Sequence, residues 1–136
     1  MNRGELITRV RDFIRDKREL NRLLDNDYET SQRQLELAVD MCLDDYNNTP
    51  PRLGVYTTDN FPWIYLLIIG SAVQVLKSAG IMHSRNHLNY SDGGLTVATD
   101  EQATYYVNWL NVLGQEYEEK KMRAKQSENL DQCWSI

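Results

Sequence analysis

The apolar stretch from Phe61 to Leu76 is the feature that most constrains the fold of this chain. Its first half, residues 63–69, is almost without polar side chains and follows Pro62. Proline suits the first turn of a helix, where its missing N–H would have no partner. A helix that is apolar nearly all round must be surrounded by other elements. The sequence therefore predicts a central core helix that ends near His83 or His87.

Helical periodicity on the N-terminal side predicts two amphipathic helices. The second begins at a capping box, Ser31 with Gln34 three residues on, and ends before Pro50 because a proline disfavours helical geometry in the preceding residue. The predicted buried positions are Leu6, Ile7, Val10, Phe13 and Ile14 in the first helix, and Leu35, Ala38, Val39, Cys42, Leu43 and Tyr46 in the second.

The C-terminal side predicts a turn and one last long helix. Asp92, Gly93 and Gly94 are typical of a hairpin tip, and Thr99 with Gln102 forms a second capping box. The predicted buried stripe of this helix is Tyr106, Leu110, Leu113 and Tyr117, joined by Val107 and Trp109. The predicted fold class is mainly α, a four- to five-helix bundle with a small β-hairpin or turn before the last long helix. From Glu116 the sequence becomes charged, so we expect a helical domain over 1–125 and a separate tail over 126–136.

Composition limits the class of protein. A chain of 136 residues, 41% of them hydrophobic, fits one compact domain. The net charge of -5 disfavours a dedicated nucleic-acid binder, although residues 3–22 are rich in arginine. Cys42 and Cys133 are far apart, which favours a reduced cytosolic setting over a disulfide framework. There is no secretion signal pattern, and the apolar run is too short to cross a bilayer comfortably, so no membrane is expected.

Each potential chemical site has a simpler structural interpretation. His83 and His87 have the spacing of a shared zinc ion, but no further ligands stand at a matching spacing. Asp44 and Asp45 are adjacent on a helix and cannot face each other as an acid and a base, so a solvated helix end is the better interpretation. Residues 91–94 lack the lysine and the strand and helix context of a phosphate loop. We predict no enzymatic activity, no cofactor and no metal.

The best candidates for function are contacts with partners. A bulky pair, Trp134 and Ile136, ends a polar tail and is suited to dock on another surface, although folding back onto its own domain is an equal alternative. The loop from Thr49 to Asn60 is long enough to be functional. The predicted partner-binding residues are Asn129, Leu130, Cys133, Trp134 and Ile136 in the tail, with Arg52 and Tyr56 in the loop.

Several motifs resemble those of small virion structural proteins of tailed bacteriophages. They are the segments 12–16, 19–21, 43–51 and 88–94, followed by Tyr106, Trp109, Leu110, Tyr117 and Glu118. More loosely, the helical layout is similar to the neck adaptors, also called head completion or head-tail connector proteins. The resemblance covers most of the chain, and its motifs are structural.

This resemblance implies a ring-forming virion protein made in the host bacterial cytoplasm. It implies a homo-oligomer, commonly of twelve copies, that lies beneath the portal protein and above a tail-side neck or terminator protein. The segment from Ser127 to Ile136 would grip the portal, and phage DNA would pass nonspecifically through the ring. Two rivals remain: a helical nucleic-acid-binding or regulatory factor that uses the basic N-terminal helix, and a metal enzyme that uses the two histidines.

Overall fold

The computed structural model describes residues 2–20, 27–52, 54–85, 89–92, 95–98 and 101–134. Within these ranges, the side chains at 83–84, 89–92, 95–98, 101–104, 106, 132 and 134 are not described. The element order is α1 (Arg3–Phe13), a short 3₁₀ turn (Arg18–Leu20), α2 (Gln32–Asn48), α3 (Ile64–Arg85), β1 (Asn89–Asp92), β2 (Leu95–Ala98) and α4 (Glu101–Trp134). The predicted mainly α class is confirmed.

The two N-terminal helices begin and end where local chemistry dictates. In α1 the Asn2 side chain accepts a hydrogen bond from the Gly4 N–H. In α2 the Ser31 and Gln34 capping box is formed in both directions, as predicted. The predicted stop is confirmed as well, since Asn48 is the last residue of α2 and Thr49 is its C-cap.

One apolar core joins α1, α2 and α3. All six predicted positions of α2 are buried, and so are Leu6, Ile7 and Val10 of α1. In α3 the buried residues include Leu66, Leu67, Ile69, Ala72, Val73 and Val75. Phe13 and Ile14 differ from the prediction, because Phe13 lies in the last turn of α1 and is 42% exposed, and Ile14 is the C-cap and only half-buried.

The central helix meets its neighbours at a glycine. A Cβ atom at Gly70 would overlap the Cys42 sulfur and would stand 2.6 Å from a ring carbon of Tyr117. Helices α2, α3 and α4 therefore pack closely together at this point. The window Ile64–Met82 of α3 is long and apolar enough to span a membrane by length and composition, but its first half is packed inside this core.

The chain then turns through two short antiparallel strands. Asn89 pairs with Ala98 and Asp92 with Leu95. The predicted tip at Gly93 and Gly94 lies outside the described residues, as does Thr99 of the second capping box.

Helix α4 returns along α3 in the opposite direction. The last buried residue described in α3 is Val75, and the first in α4 is Tyr117. The C-terminal part of α3 and the N-terminal part of α4 thus extend past the core, and we call residues 76–85 and 101–112 the arm.

Candidate interaction surfaces

The C-terminal half of α4 is attached to the rest of the fold by buried polar side chains. Lys121, Lys125 and Glu128 are 4%, 1% and 8% exposed. Their spacing of four and then three residues places them on one face of the helix. These three side chains and Tyr117 contact α2 and the 49–61 loop. We call this set of contacts the polar seam.

The first half of the polar seam is organised around Asp45. Its carboxylate accepts hydrogen bonds from the Tyr117 hydroxyl at 2.8 Å and from Lys121 Nζ at 2.9 Å. Lys121 also pairs with Glu118 at 2.9 Å. Burial opposes the charged lysine, but hydrogen bonds to both carboxylates outweigh it and raise the pKa of Lys121. The Asp45 side chain is 42% exposed, as expected of a solvated helix end, and it also connects α2 to α4, which was not predicted.

The second half is organised around Glu128. Its carboxylate accepts hydrogen bonds from the hydroxyls of Tyr46, at 2.8 Å, and Tyr56. Lys125 Nζ lies 4.1 Å from the centre of the Tyr46 ring and donates to the Pro51 carbonyl at 3.3 Å. Burial raises the pKa of Tyr56 to about 12, with Glu128 reinforcing it, and burial lowers the pKa of Lys125. The two clusters hold α4 in one position against α2 and the loop.

Aromatic rings connect this seam to the start of α3. Tyr46, Phe61 and Trp63 have ring centroids 4.9 to 6.0 Å apart, and Tyr56 joins them edge-on. Tyr56 was predicted to bind a partner, but the structure places it half-buried inside its own chain. Its backbone is also held by both polar atoms of the Asn47 side chain. Of the predicted loop pair, Arg52 is the one with an exposed side chain.

The predicted tail is the last part of α4. The helix continues through Gln126 to Trp134 and buries Glu128 against α2, so most of the predicted tail 126–136 is helical. Within this last section Asn129, Leu130 and Cys133 are exposed, Leu130 by 58%. Trp134 ends the helix, and its side chain and Ile136 lie outside what is described. The docking role of this end stays a prediction.

The arm presents apolar side chains that sequence periodicity placed elsewhere. Val107 and Trp109 were predicted to join the buried stripe of the last helix, but they are 54% and 58% exposed. Leu110 and Leu113 are half-buried against the core, as the stripe requires, and the Tyr106 side chain is not described. Further exposed apolar side chains of the arm are Ile81, Met82, Tyr105 and Val112.

No group of three or more His, Cys, Asp or Glu side chains is arranged to hold a metal in the described parts of the chain. Of the predicted histidine pair, the side chain of His83 and all of His87 lie outside those parts. Burial raises the pKa of the Cys42 thiol to about 12, so this cysteine is a poor nucleophile at neutral pH. It packs as a core side chain.

Comparisons with known proteins give no relative: no family model, curated protein or solved structure matches this chain.

Proposed function

We propose that this chain is a structural virion protein of a tailed phage, a ring-forming neck adaptor that joins the portal to the tail and lines the DNA channel. It acts without catalytic activity, in a closed ring whose number of copies, about twelve, is what the resemblance implies. The observation that supports this best is the apolar surface of the arm. Tyr105, Trp109 and Val112 are each more than half exposed, and contiguous exposed apolar surface of this kind marks protein interfaces.

The polar seam supports an assembly role over catalysis. Asp45, Lys121 and Glu128 make hydrogen bonds within the chain, and these bonds hold helices together. An adaptor must keep its shape while it is pulled between two neighbouring rings. A helix end fixed by oriented hydrogen bonds meets that requirement, because each bond demands its own geometry.

The rival function as a nucleic-acid-binding factor depends on free arginines in α1. Arg3, Arg9 and Arg11 are each paired with a carboxylate, those of Asp40, Glu5 and Asp16 at 2.8 to 3.0 Å. Paired arginines are less available to phosphates, whose neutralisation provides most nonspecific binding. A strong, salt-dependent DNA shift by the purified protein would nevertheless favour the rival.

The test is co-sedimentation of the protein with assembled portal rings of the same phage. A truncation after Gln132 removes Cys133–Ile136 and leaves the polar seam intact, so the domain should stay folded. We expect it to lose portal binding, and Trp134→Ala alone to weaken binding by about 2 kcal/mol, the size expected of an aromatic anchor. Leu20→Asp alters a leucine that is 51% exposed in another part of the chain and should bind normally.

If the truncated protein binds portal as well as the wild type does, the portal contact lies instead in the 49–61 loop. Loss of binding by Arg52→Glu would then identify that loop as the contact. Failure of the wild-type protein to bind portal at any concentration would refute the proposed function.

A further inference from the structure

One long face of α4 changes character along its length. Tyr105, Trp109 and Val112 are spaced by four and three residues, and the same spacing continues through Glu116 to Lys120 and Arg123. Residues with this spacing share one face of a helix. The face extends about 27 Å from residue 105 to 123, at roughly 1.5 Å per residue. Its N-terminal part is apolar, and its C-terminal part is cationic.

The cationic part of this face borders a groove. The groove has a volume of about 500 Å³ and lies between the start of α3 and α4. Its lining includes Pro62, Trp63, Leu66, Lys120, Arg123 and Ala124. The Lys120 ammonium lies 5.2 Å from the centre of the Tyr65 ring, and Arg123 makes no ion pair with any described residue. The groove therefore combines an apolar floor with a positive rim.

The outer face of α2 has the opposite character. Leu37 and Met41 are four residues apart, lie one turn above the other and are 57% and 46% exposed. Asp40 and Asp44 stand beside them and are exposed too. Asp40 contacts Arg3 at 2.9 Å across an exposed pair, and Asp44 is not ion-paired with any described residue. This face is a convex apolar ridge with an acidic border.

We propose that the groove and apolar face of α4 receive the outer face of α2 from a second copy of this chain. The ridge of Leu37 and Met41 would lie against Trp63 and Leu66, and Asp40 and Asp44 would meet Lys120 and Arg123. An apolar helix face laid into a groove is a common recognition mode. Opposite charges at its border fix orientation and exclude wrong partners. Charge complementarity thus identifies the second copy as the occupant.

The two surfaces belong to different helices and share no residue, so the contact is heterologous. Each bound copy still presents a free groove and a free ridge. Such contacts propagate until a rotation closes them into a ring. Ring closure is the part of this inference that rests on the proposed function, whereas the pairing of the two surfaces does not depend on any portal.

Two charge-reversed proteins test the pairing. The groove variant contains Lys120→Glu and Arg123→Glu, and the ridge variant contains Asp40→Lys and Asp44→Lys. Each alone brings like charges together, and we expect its self-association, measured by light scattering and mass photometry, to weaken about tenfold or more. Mixed one to one, each variant surface meets an opposite charge, and assembly should return with both proteins in alternation. Arg15→Glu with Lys17→Glu reverses two exposed charges just after α1, outside both surfaces, and should assemble normally.

All of these side chains are exposed or half-buried, so circular dichroism should be unchanged, and melting should fall only slightly where an exposed ion pair such as Arg3–Asp40 is lost. Wild-type protein that stays monomeric both free and on portal rings would overturn the inference. The inference would also be overturned if either charge-reversed protein still assembles alone, or if the one-to-one mixture of the two stays unassembled. Rings that respond to the reversals but fail to bind portal would leave this inference standing and refute the neck-adaptor function.

Discussion

Helix α2 is held on its two sides by chemically different contacts. Toward α1 and α3 it buries aliphatic side chains such as Leu35 and Val39, both 0% exposed. Toward α4 it meets the polar seam, where charged and phenolic groups are buried together. Apolar contacts tolerate small shifts, since burial has no preferred direction. Hydrogen-bonded charged groups tolerate only very small shifts. When a buried group loses its partner, it stays desolvated and unpaired, which costs free energy.

Because their contacts differ in chemistry, the apolar and polar sides of α2 have separate roles. The apolar side provides most of the free energy of folding, as buried apolar area does in general. The polar side fixes the position of α4, and with it the direction of the arm and the end of the chain. We infer this division from chemistry alone, and variants on each side should separate stability from position.

The largest effect is expected on the apolar side. Ile69 is 0% exposed, and Ile69→Asp would bury a carboxylate without a partner. Loss of the apolar side chain and burial of the charge together cost about 5 kcal/mol or more, comparable with the whole stability of a domain. We expect no cooperative melting by circular dichroism. Ile68→Asp is the matched comparison, since Ile68 is only half-buried, and a variant at 69 that melts like wild type would contradict the core assignment.

The next effect is on the polar side. Glu128→Ala removes the acceptor of two tyrosine hydroxyls, and the groups left unpaired cost roughly 2 to 4 kcal/mol. Chemical denaturation measures this loss. Glu128→Gln keeps an acceptor and should lose less.

A triple change distinguishes the positioning role of the polar seam from its contribution to stability. With Tyr46→Phe and Tyr56→Phe added, Glu128→Leu removes the buried carboxylate together with the two hydroxyls that donate to it, and replacing both partners of a hydrogen bond by apolar groups can be nearly neutral. We expect stability to recover while portal binding and ring formation stay impaired, if the polar seam positions α4. Recovery of both properties would show that the seam only contributes stability.

A smaller loss of stability is expected at Gly70, where the apolar and polar sides of α2 meet. Gly70→Ala places a methyl group 2.6 Å from a Tyr117 ring carbon, and such overpacking costs about 1 to 3 kcal/mol. Gly114→Ala is the control within α4, because a Cβ there meets nothing within 4 Å. Alanine is the better helix former by about 0.5–1 kcal/mol, so this variant should melt slightly higher than wild type. Equal melting of the two alanine variants would mean that the helices are not so close at Gly70.

The apolar side could be predicted from the sequence because its periodicity is explicit. In α2 all six apolar positions of the predicted stripe are buried, since an amphipathic helix gains most by turning that stripe inward. The capping box at Ser31 fixed where the helix begins. Phe13 escaped the rule because the chain leaves the helix there, through Arg15 in the left-handed region at φ 60.

The polar side could not be predicted in the same way. Lys121, Lys125 and Glu128 were interpreted as a charged, fraying end, yet they continue the helix face of Leu110, Leu113 and Tyr117. Lysine buries its aliphatic stem readily, but its head needs a partner. Those partners lie 76 residues away for Lys121 and 82 for Glu128, and periodicity contains no information about contacts so distant. The one sequence signal for this contact was the helical spacing itself, because the stripe of Leu110, Leu113 and Tyr117 continues at the same spacing through Lys121, Lys125 and Glu128.

The smallest expected effect tests whether burial distinguishes these polar contacts from ordinary surface ones. Arg3 and Asp40 form an ion pair at 2.9 Å with both side chains about half exposed, whereas the Lys121 side chain in its pair with Asp45 is 5% exposed. Arg3→Ala should cost about 0.2–1 kcal/mol. High salt should erase this cost, because exposed charges are screened. Denaturation at low and high salt measures it, and Lys121→Met measured alongside should lose more and depend less on salt. Equal salt dependence of the two variants would show that the polar seam is hydrated like the surface and cannot fix the position of α4.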